Sequence, residues 1–302
     1  MKSHSVVRLA SLLFALASSL AFAQDHQTPS YFEEASKTIG KTGTLNPDGS
    51  YRINIPRTDV SFKNSRGMPI PADLGLATYA AFSGGENEAF VVGDVAMLQH
   101  EIDGVIDALR LGGIEVVALH NHMTTESPRL FYMHYQGHGR VADLAATLKN
   151  AFALLGKPAP SVEPLAAPGK PDIDWDALGQ VFAGKPQKFA SGVMRWSMPR
   201  KDLKIIQDQL PFTPAMGLGS WAAFNACECG LTMVMGDTCC GSRTELQTVV
   251  DALRKAGISI TGIHNHVFAG SQEVLFLHFD GEGDALKMAQ GIKNGWNALG
   301  SH

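Results

Sequence analysis

The chain has 302 residues, of which 45% are hydrophobic and 18% are charged, and its formal net charge is −4. This composition excludes an intrinsically disordered chain, a collagen-like chain and a small disulfide-stabilised protein. The excess of acidic residues argues against a basic binding surface, so we expect no nucleic-acid partner. The length accommodates two domains that each bury a core of their own.

The first 23 residues have the pattern of a secretory signal peptide. Lys2 and Arg8 precede an apolar run, and Ala21-Phe22-Ala23 is a small-residue cleavage site. The apolar run is shorter than the ~20 residues that a membrane-spanning helix requires. We therefore expect cleavage after Ala23, no membrane span in the mature chain, and a periplasmic or secreted location.

The hydrophobic pattern after residue 75 predicts six elements in the first half of the mature chain. Asp94 is the predicted N-cap of the first of two helices, because an amphipathic pattern begins directly after it. Paired strands followed by helices are typical of an α+β fold with antiparallel sheets. In chain order we predict strands at 76–82 and 89–92, a helix at 95–111, strands at 114–122 and 130–135, and a helix at 141–155.

The second half of the chain repeats the first. The segment LHNH at 119–122 recurs 144 residues later as IHNH, DALR at 107–110 recurs unchanged at the same offset, and GD at 93–94 recurs 143 residues later. We therefore predict two tandem ββαββα copies, related by a pseudo-twofold axis, that either share a sheet or pack sheet to sheet. The predicted organisation is a signal peptide at 1–23, a first repeat domain at 24–156, a Pro/Ala-rich linker at 157–171 and a second repeat domain at 172–302.

Three histidines in each copy have the spacing of a metal site. His120 and His122 are two residues apart on a predicted strand, so both side chains point to one face of the sheet. His134 lies on the next strand, and an even-to-even pairing of the hairpin brings it to that face. Three imidazoles on one face match a three-His site for Zn or Cu with an open coordination position. The equivalent residues of the second copy are His264, His266 and His278.

Glu126, in the turn after the first histidine pair, is the candidate catalytic residue. A carboxylate beside a metal could deprotonate a metal-bound water or supply a fourth ligand. The second copy has Gly270 at this offset, so the sequence favours the first copy as the catalytic one. Two alternatives stay open: Glu126 as a solvated turn carboxylate, and the histidines as a structural hydrogen-bond cluster.

All four cysteines of the chain lie in the second copy. Cys227 and Cys229 are in a predicted turn, and Cys239 and Cys240 precede a predicted helix. Four nearby cysteines in an oxidising compartment predict two disulfides. We favour cross-links between the two pairs, because a bridge between adjacent residues would be strained. The alternatives are a thiolate site for Cu(I) or Zn and a redox-active dithiol.

The segment from Gly113 to Gly139, which reads GxxVxALHNHM followed by PRLFYMHxxGxG, resembles the LppY/LpqO family of bacterial exported proteins. The segments GDTCCG and GIHNHVF of the second copy carry the same resemblance, which covers nearly all of the mature chain. The resemblance implies an exported protein with a domain of unknown function, and it supplies no catalytic residues. This chain has no lipidation cysteine at the cleavage site.

These observations support two functional hypotheses. The first is an exported metal-binding protein with a three-His site for a divalent metal in each copy, and with hydrolysis at the first copy as a further step. The second is a non-enzymatic binding module for a small molecule or a cell-envelope component such as a glycan, with the histidines as hydrogen-bond donors.

Overall fold

The computed structural model describes residues 27–160, 169, 171–207, 209–226, 230–267 and 271–300. The predicted signal peptide, Cys227 and Cys229, and most of the predicted linker lie outside the described residues. Within those ranges, no helix is both long enough and apolar enough to cross a bilayer.

The first half begins with one helix and four strands that lie before residue 76, where the predicted elements start. The elements of this half are α1 (Ser30–Ile39), β1 (Gly43–Leu45), β2 (Tyr51–Pro56), β3 (Phe62–Lys63), β4 (Pro69–Ile70), β5 (Ala77–Gly84), β6 (Ala89–Leu98), α2 (Ile102–Leu111), β7 (Glu115–His120), β8 (Leu130–Gly139) and α3 (Val141–Phe152).

The second half has the same succession of elements. They are α4 (Trp175–Val181), β9 (Gln187–Lys188), β10 (Met194–Pro199), β11 (Ile205–Gln207), β12 (Leu210–Phe212), β13 (Gly219–Ala226), β14 (Thr232–Cys240), α5 (Arg243–Lys255), β15 (Ser259–His264), β16 (Leu275–Gly283) and α6 (Ala285–Trp296). The predicted combination of helices with a large antiparallel sheet is therefore confirmed.

The two halves share one sheet, which is one of the two arrangements that the sequence left open. Among the described residues the sheet has twelve strands in the order β1-β2-β5-β6-β8-β7-β15-β16-β14-β13-β10-β9. The order reads the same from either edge once equivalent strands are exchanged. Its centre is the antiparallel contact of β7 with β15, where Leu119 pairs with the equivalent Ile263.

Reciprocal ion pairs reinforce this central junction. Arg110 of α2 binds Asp251 of α5, and Arg254 of α5 binds Asp107 of α2, each with an Nε–Oδ1 distance of 2.8 Å. The four residues are the ends of the repeated DALR segments. The retention of DALR in both copies thus has a structural explanation, because each copy supplies both the acid and the base of the contact.

The helices cover one face of the sheet, and a continuous core of buried side chains from both copies fills the space between them. We call this the helix face and the opposite one the site face. On the site face, two smaller apolar clusters lie under the segments that contain β3–β4 and β11–β12. Because strand side chains alternate, residues that flank helix-face positions, such as His134 between Met133 and Tyr135, point to the site face.

Two details of the sequence prediction are wrong. The helix predicted from residue 95 begins at Ile102, and residues 95–98 extend strand β6, where Asp94 lies within the strand and is not an N-cap. These residues are apolar on both faces of the strand, a pattern that periodicity alone does not separate from a helix. At the start of α5, by contrast, Ser242 is an N-cap, because its side chain accepts a hydrogen bond from the amide of Glu245.

Candidate functional site

The predicted even-to-even register is confirmed in both hairpins. His120 on β7 pairs with Tyr132 on β8, and His264 on β15 pairs with Phe276 on β16. His134 is two residues from Tyr132 along β8, so it lies on the same face as His120, with 3.0 Å between their Nε2 atoms. A slip of one residue would have placed the two imidazoles on opposite faces.

A β-bulge on β7 alters the parity argument for the preceding residues. The register shifts between Val116 and Ala118, so Val116 is fully buried in the helix-face core while Val117 is 36% exposed. Strict alternation from the buried Leu119 would place Val117 towards the core, but the bulge adds one unpaired residue and reverses the alternation on its N-terminal side.

The third histidine of each copy lies just beyond the strand end, not on the strand where the sequence predicted it. His122 stacks on Tyr132 and His266 stacks on Phe276, in both cases with 3.4 Å between ring centroids. Between the two histidines of the first copy, Asn121 donates its side-chain amide to a carbonyl of the neighbouring strand. The HNH segment is therefore a turn in which the asparagine fixes the backbone and an aromatic ring orients the last imidazole.

The three histidines of the second copy converge. One ligand nitrogen from each of His264, His266 and His278 lies within 4.8 Å of the others, and among the described residues no other group of histidine, cysteine and acidic side chains meets this distance. In a tetrahedral zinc site with Zn–N bonds of about 2.0–2.1 Å, neighbouring nitrogens are about 3.4 Å apart. To ligate one metal, the most widely separated of the three nitrogens would have to approach each other by up to about 1.4 Å, from within 4.8 Å to about 3.4 Å.

A buried aspartate completes each histidine cluster, and the sequence analysis missed it. Asp94 pairs with His134 across β6 and β8, and Asp237 pairs with His278 across β14 and β16. The Oδ1 atoms of both aspartates are buried without a hydrogen-bond partner. Asp237 is only 4% exposed and lies 3.7 Å from His278 Nδ1 and 3.8 Å from His266 Nε2.

The repeated GD dipeptide was the signal that could have identified these aspartates. At Gly93, a Cβ atom would lie 2.2 Å from the carbonyl oxygen of Tyr79 and 2.3 Å from the hydroxyl of Tyr135; at Gly236, it would collide with Phe279 and a strand carbonyl. Because glycine has no side chain, an aromatic residue of the neighbouring strand can pack against the strand on the helix face. The aspartate that follows the glycine points to the opposite face, towards the histidines. The GD dipeptide is therefore needed both for packing and for the site.

Burial lowers the pKa of two imidazoles of the second cluster, His266 and His278. The pKa of His266 falls to about 4, mainly through burial and further through the neighbouring His264 and His278. The pKa of His278 is lowered by burial and by the neighbouring His264, against an opposing hydrogen bond with the backbone of Gly236. Burial also raises the pKa of Asp237 to about 6, opposed by the nearby His264. Neutral imidazoles are the form that binds metals.

Glu126 is placed by the structure in a buried position at the end of the turn. Its Oε1 accepts a hydrogen bond from the amide of Leu130 and lies 3.6 Å from Nε of Arg129, while Oε2 is buried with no hydrogen-bond partner. The solvated turn carboxylate is therefore wrong, since the residue is 5% exposed. Its catalytic role stays a prediction.

The two described cysteines are buried on opposite faces of β14. Cys239 belongs to the apolar cluster on the site face and Cys240 to the helix-face core, and both are free thiols. Burial raises the pKa of Cys239 to about 12. In this structure each of the two thiols is enclosed by its own apolar cluster. The favoured partners, Cys227 and Cys229, lie outside the described residues, so the two disulfides stay a prediction.

Comparison with known sequences identifies the repeat. The profile of a domain of unknown function, DUF1259, matches twice, at residues 33–154 and 177–298. The chain belongs to the DUF1259 family. The two matches confirm the internal duplication, and they correct the expected resemblance, because the matching family is DUF1259 and not LppY/LpqO. No functionally curated protein matches the sequence.

Two solved structures show a weak likeness to the chain. A trimeric bacterial microcompartment shell protein, PduB, is 12% identical over 82% of this chain and 86% of its own, with a TM-score of 0.22. EtuB from Clostridium kluyveri is 10% identical over 85% and 89% of the two chains, with a TM-score of 0.23. TM-scores this low do not indicate a shared fold or a shared function.

Proposed function

We propose that this chain is an exported metal-binding protein, with its principal centre in the second copy at His264, His266 and His278. The observation that carries the proposal is the convergence of three ligand nitrogens within 4.8 Å of one another. The buried Asp237 supports it, because its Oδ1 has no hydrogen-bond partner, and a buried carboxylate oxygen without a donor is costly unless a cation compensates it.

The hydrogen bond of His264 favours the tautomer that a metal needs. Its Nδ1 lies 3.1 Å from the carbonyl oxygen of Asn265. A carbonyl only accepts, so Nδ1 carries the proton and the Nε2 lone pair is free to ligate. Asp237, on the Nδ1 side of His278, is placed as the carboxylate that commonly orients a metal-bound imidazole.

Three imidazoles suit Zn or Cu and leave one coordination position for water or a ligand. A water held there would be acidified and become a nucleophile near neutral pH. Hydrolysis through Glu126 in the first copy is a separate proposal. The carboxylate of Glu126 already accepts a hydrogen bond from the amide of Leu130 and lies beside Arg129, so these contacts do not by themselves support a role as a general base.

The first copy is proposed as the weaker centre. The Nε2 atoms of His120 and His134 are 3.0 Å apart, which is close to the separation of two ligand nitrogens in a zinc site. The nitrogens of His120, His122 and His134, however, do not converge as a set of three in the way those of the second copy do. The arrangement of the two centres fits a pseudo-twofold axis between Leu119 and Ile263, which we propose from the palindromic strand order.

Metal titration of the untagged full chain tests the proposal. After removal of metals with a chelator, we expect one tight equivalent of Zn²⁺ or Cu²⁺ by calorimetry and elemental analysis, followed by a weaker one. The double variant His264→Ala/His278→Ala should weaken the tight event on the order of 100-fold or more.

The matched controls are the equivalent first-copy variant, His120→Ala/His134→Ala, and the exposed His138→Ala, and both should keep the tight event. Stripped protein that takes up neither metal, or a second-copy variant that binds like the wild type, would contradict the proposal. The first of these results would favour the non-enzymatic binding module.

A further inference from the structure

A cleft of about 320 Å³ opens beside the proposed metal centre of the second copy. Asp237 and His266, which belong to the histidine cluster, line it. Arg195 and Trp221 also line it, with the guanidinium carbon 4.4 Å from the centre of the indole ring. Ser197 lies on the same strand as Arg195 and also lines the cleft.

The guanidinium of Arg195 is incompletely satisfied. Its Nε is buried and has no hydrogen-bond partner. In the first copy the equivalent Arg52 lies over Tyr79 in the same way, but its Nε donates to Oδ1 of Asn54 at 2.9 Å. The second copy has Ser197 in place of Asn54, and the shorter side chain leaves the donor unpaired.

The charges that face the cleft favour an anion once a metal is bound. The ionisable groups that line it are Arg195, Asp237 and His266, and an imidazole that ligates a metal is in its neutral form. A divalent cation at the histidines, together with one guanidinium and one carboxylate, gives a formal charge of +2. Oxyanions bind well where a guanidinium N–H donor lies beside a positive charge, because they accept charged hydrogen bonds from arginine.

We infer that this cleft binds a small oxyanion, a carboxylate or a phosphate, with one oxygen at the open position of the metal and another on Nε of Arg195. The inference rests on the proposed metal centre for the first of these contacts. In this inference Arg195 selects the ligand. Ser197 is too short to accept the hydrogen bond of Arg195 Nε, so that donor stays available for the ligand.

Titration with acetate, succinate and inorganic phosphate tests the inference, with the full chain both zinc-loaded and metal-free. We expect at least one probe to bind the zinc-loaded protein. Arg195→Ala should weaken that binding about 10- to 100-fold, the usual effect of a lost charged hydrogen bond, while zinc affinity stays within about twofold. The ranking of the three probes distinguishes a carboxylate from a phosphate ligand.

Two matched variants separate the guanidinium from general effects of mutation. Arg52→Ala removes the equivalent side chain of the first copy and should leave anion binding unchanged. Ser197→Asn, which restores the partner found in the first copy, should weaken anion binding although Arg195 is still present.

The possible outcomes separate the inference from the proposed function. Tight zinc binding without binding of any probe, or equal binding by the Arg195→Ala and Arg52→Ala variants, overturns the inference alone. A chain that binds no metal, but binds a probe in an Arg195-dependent manner, overturns the metal proposal and supports the anion cleft.

Discussion

The two copies share a framework and differ at their centres. In the first copy, Arg57 is buried with Glu101, and in the second, Arg200 is buried with Glu245, each pair at 2.7–2.8 Å. Around the histidines, by contrast, the first copy has a closed imidazole pair and a satisfied Arg52, while the second has three convergent nitrogens and an unpaired donor on Arg195. Residues that hold the fold are the same in both copies, whereas some of the residues around the centre differ, such as Asn54 and Ser197.

The buried arginine has the same structural task in each half. The guanidinium of Arg57 donates to the carbonyl of Ala96 at 2.7 Å, and that of Arg200 donates to the carbonyl of Cys239 at 2.6 Å. Its glutamate partner in turn accepts the amide of a residue after the last helix, Gly156 in the first copy. One ion pair thus connects the sheet, the helix layer and the end of each copy.

The largest expected effect tests whether this framework is equivalent in the two copies. Arg200→Met should destabilise the chain by about 3–5 kcal/mol, because it leaves a buried glutamate without its charge partner. Arg57→Met should cost the same within about 1 kcal/mol. Urea unfolding of both variants measures the two losses. A large difference between them would mean that the copies do not carry equal shares of stability.

A smaller effect of opposite sign is expected at Asp237. Its pKa is about 6 in the folded chain, above the ordinary value of 3.8, so the folded state disfavours the ionised carboxylate. At pH 7–8, metal-free Asp237→Asn should therefore be more stable than the wild type by roughly 1–3 kcal/mol. The gain should shrink as the pH falls through 6 and vanish below about 4, where the carboxyl group is protonated in both states.

Zinc should reverse the stability ranking of the wild type and Asp237→Asn. A ligand that binds the folded state stabilises it by mass action, and we expect the wild type, which keeps the carboxylate beside the histidines, to bind zinc more tightly. Urea midpoints at pH 8 and pH 4, with and without zinc, measure both effects. The opposite result at pH 8, with metal-free Asp237→Asn less stable than the wild type, would show that the carboxylate stabilises the fold itself. It would then not be a destabilising group that only a bound metal compensates.

The smallest effect is expected at the cysteines. The first copy has Ala96 at the position of Cys239, in an equivalent apolar cluster. Cys239→Ala should therefore cost less than about 1.5 kcal/mol. Thiol counting on the denatured, unreduced chain should find at least two free thiols, from Cys239 and Cys240. A count of zero would instead support the disulfides that the sequence predicts.

The sequence by itself determined the duplication, the kind of elements and the face that the histidines share. Repeated segments at constant spacing do not depend on folding for their recognition, and the period of two along a strand places His120 and His134 on one face in any even-to-even hairpin. The repeat of the DALR segments could also be read from the sequence. The ion pairs that their aspartates and arginines form between the two copies could not.

Only the tertiary structure decided what lies opposite the histidines. Asp94 and Asp237 come from strands that are distant in sequence, and their role depends on strand order, which local patterns do not encode. The start of α2 was misjudged because a strand buried on both faces has no polar alternation to distinguish it from a helix. The difference between the two centres, finally, depends partly on residue type, as with Ser197 in place of Asn54, and partly on side-chain distances within each cluster, which arise from packing.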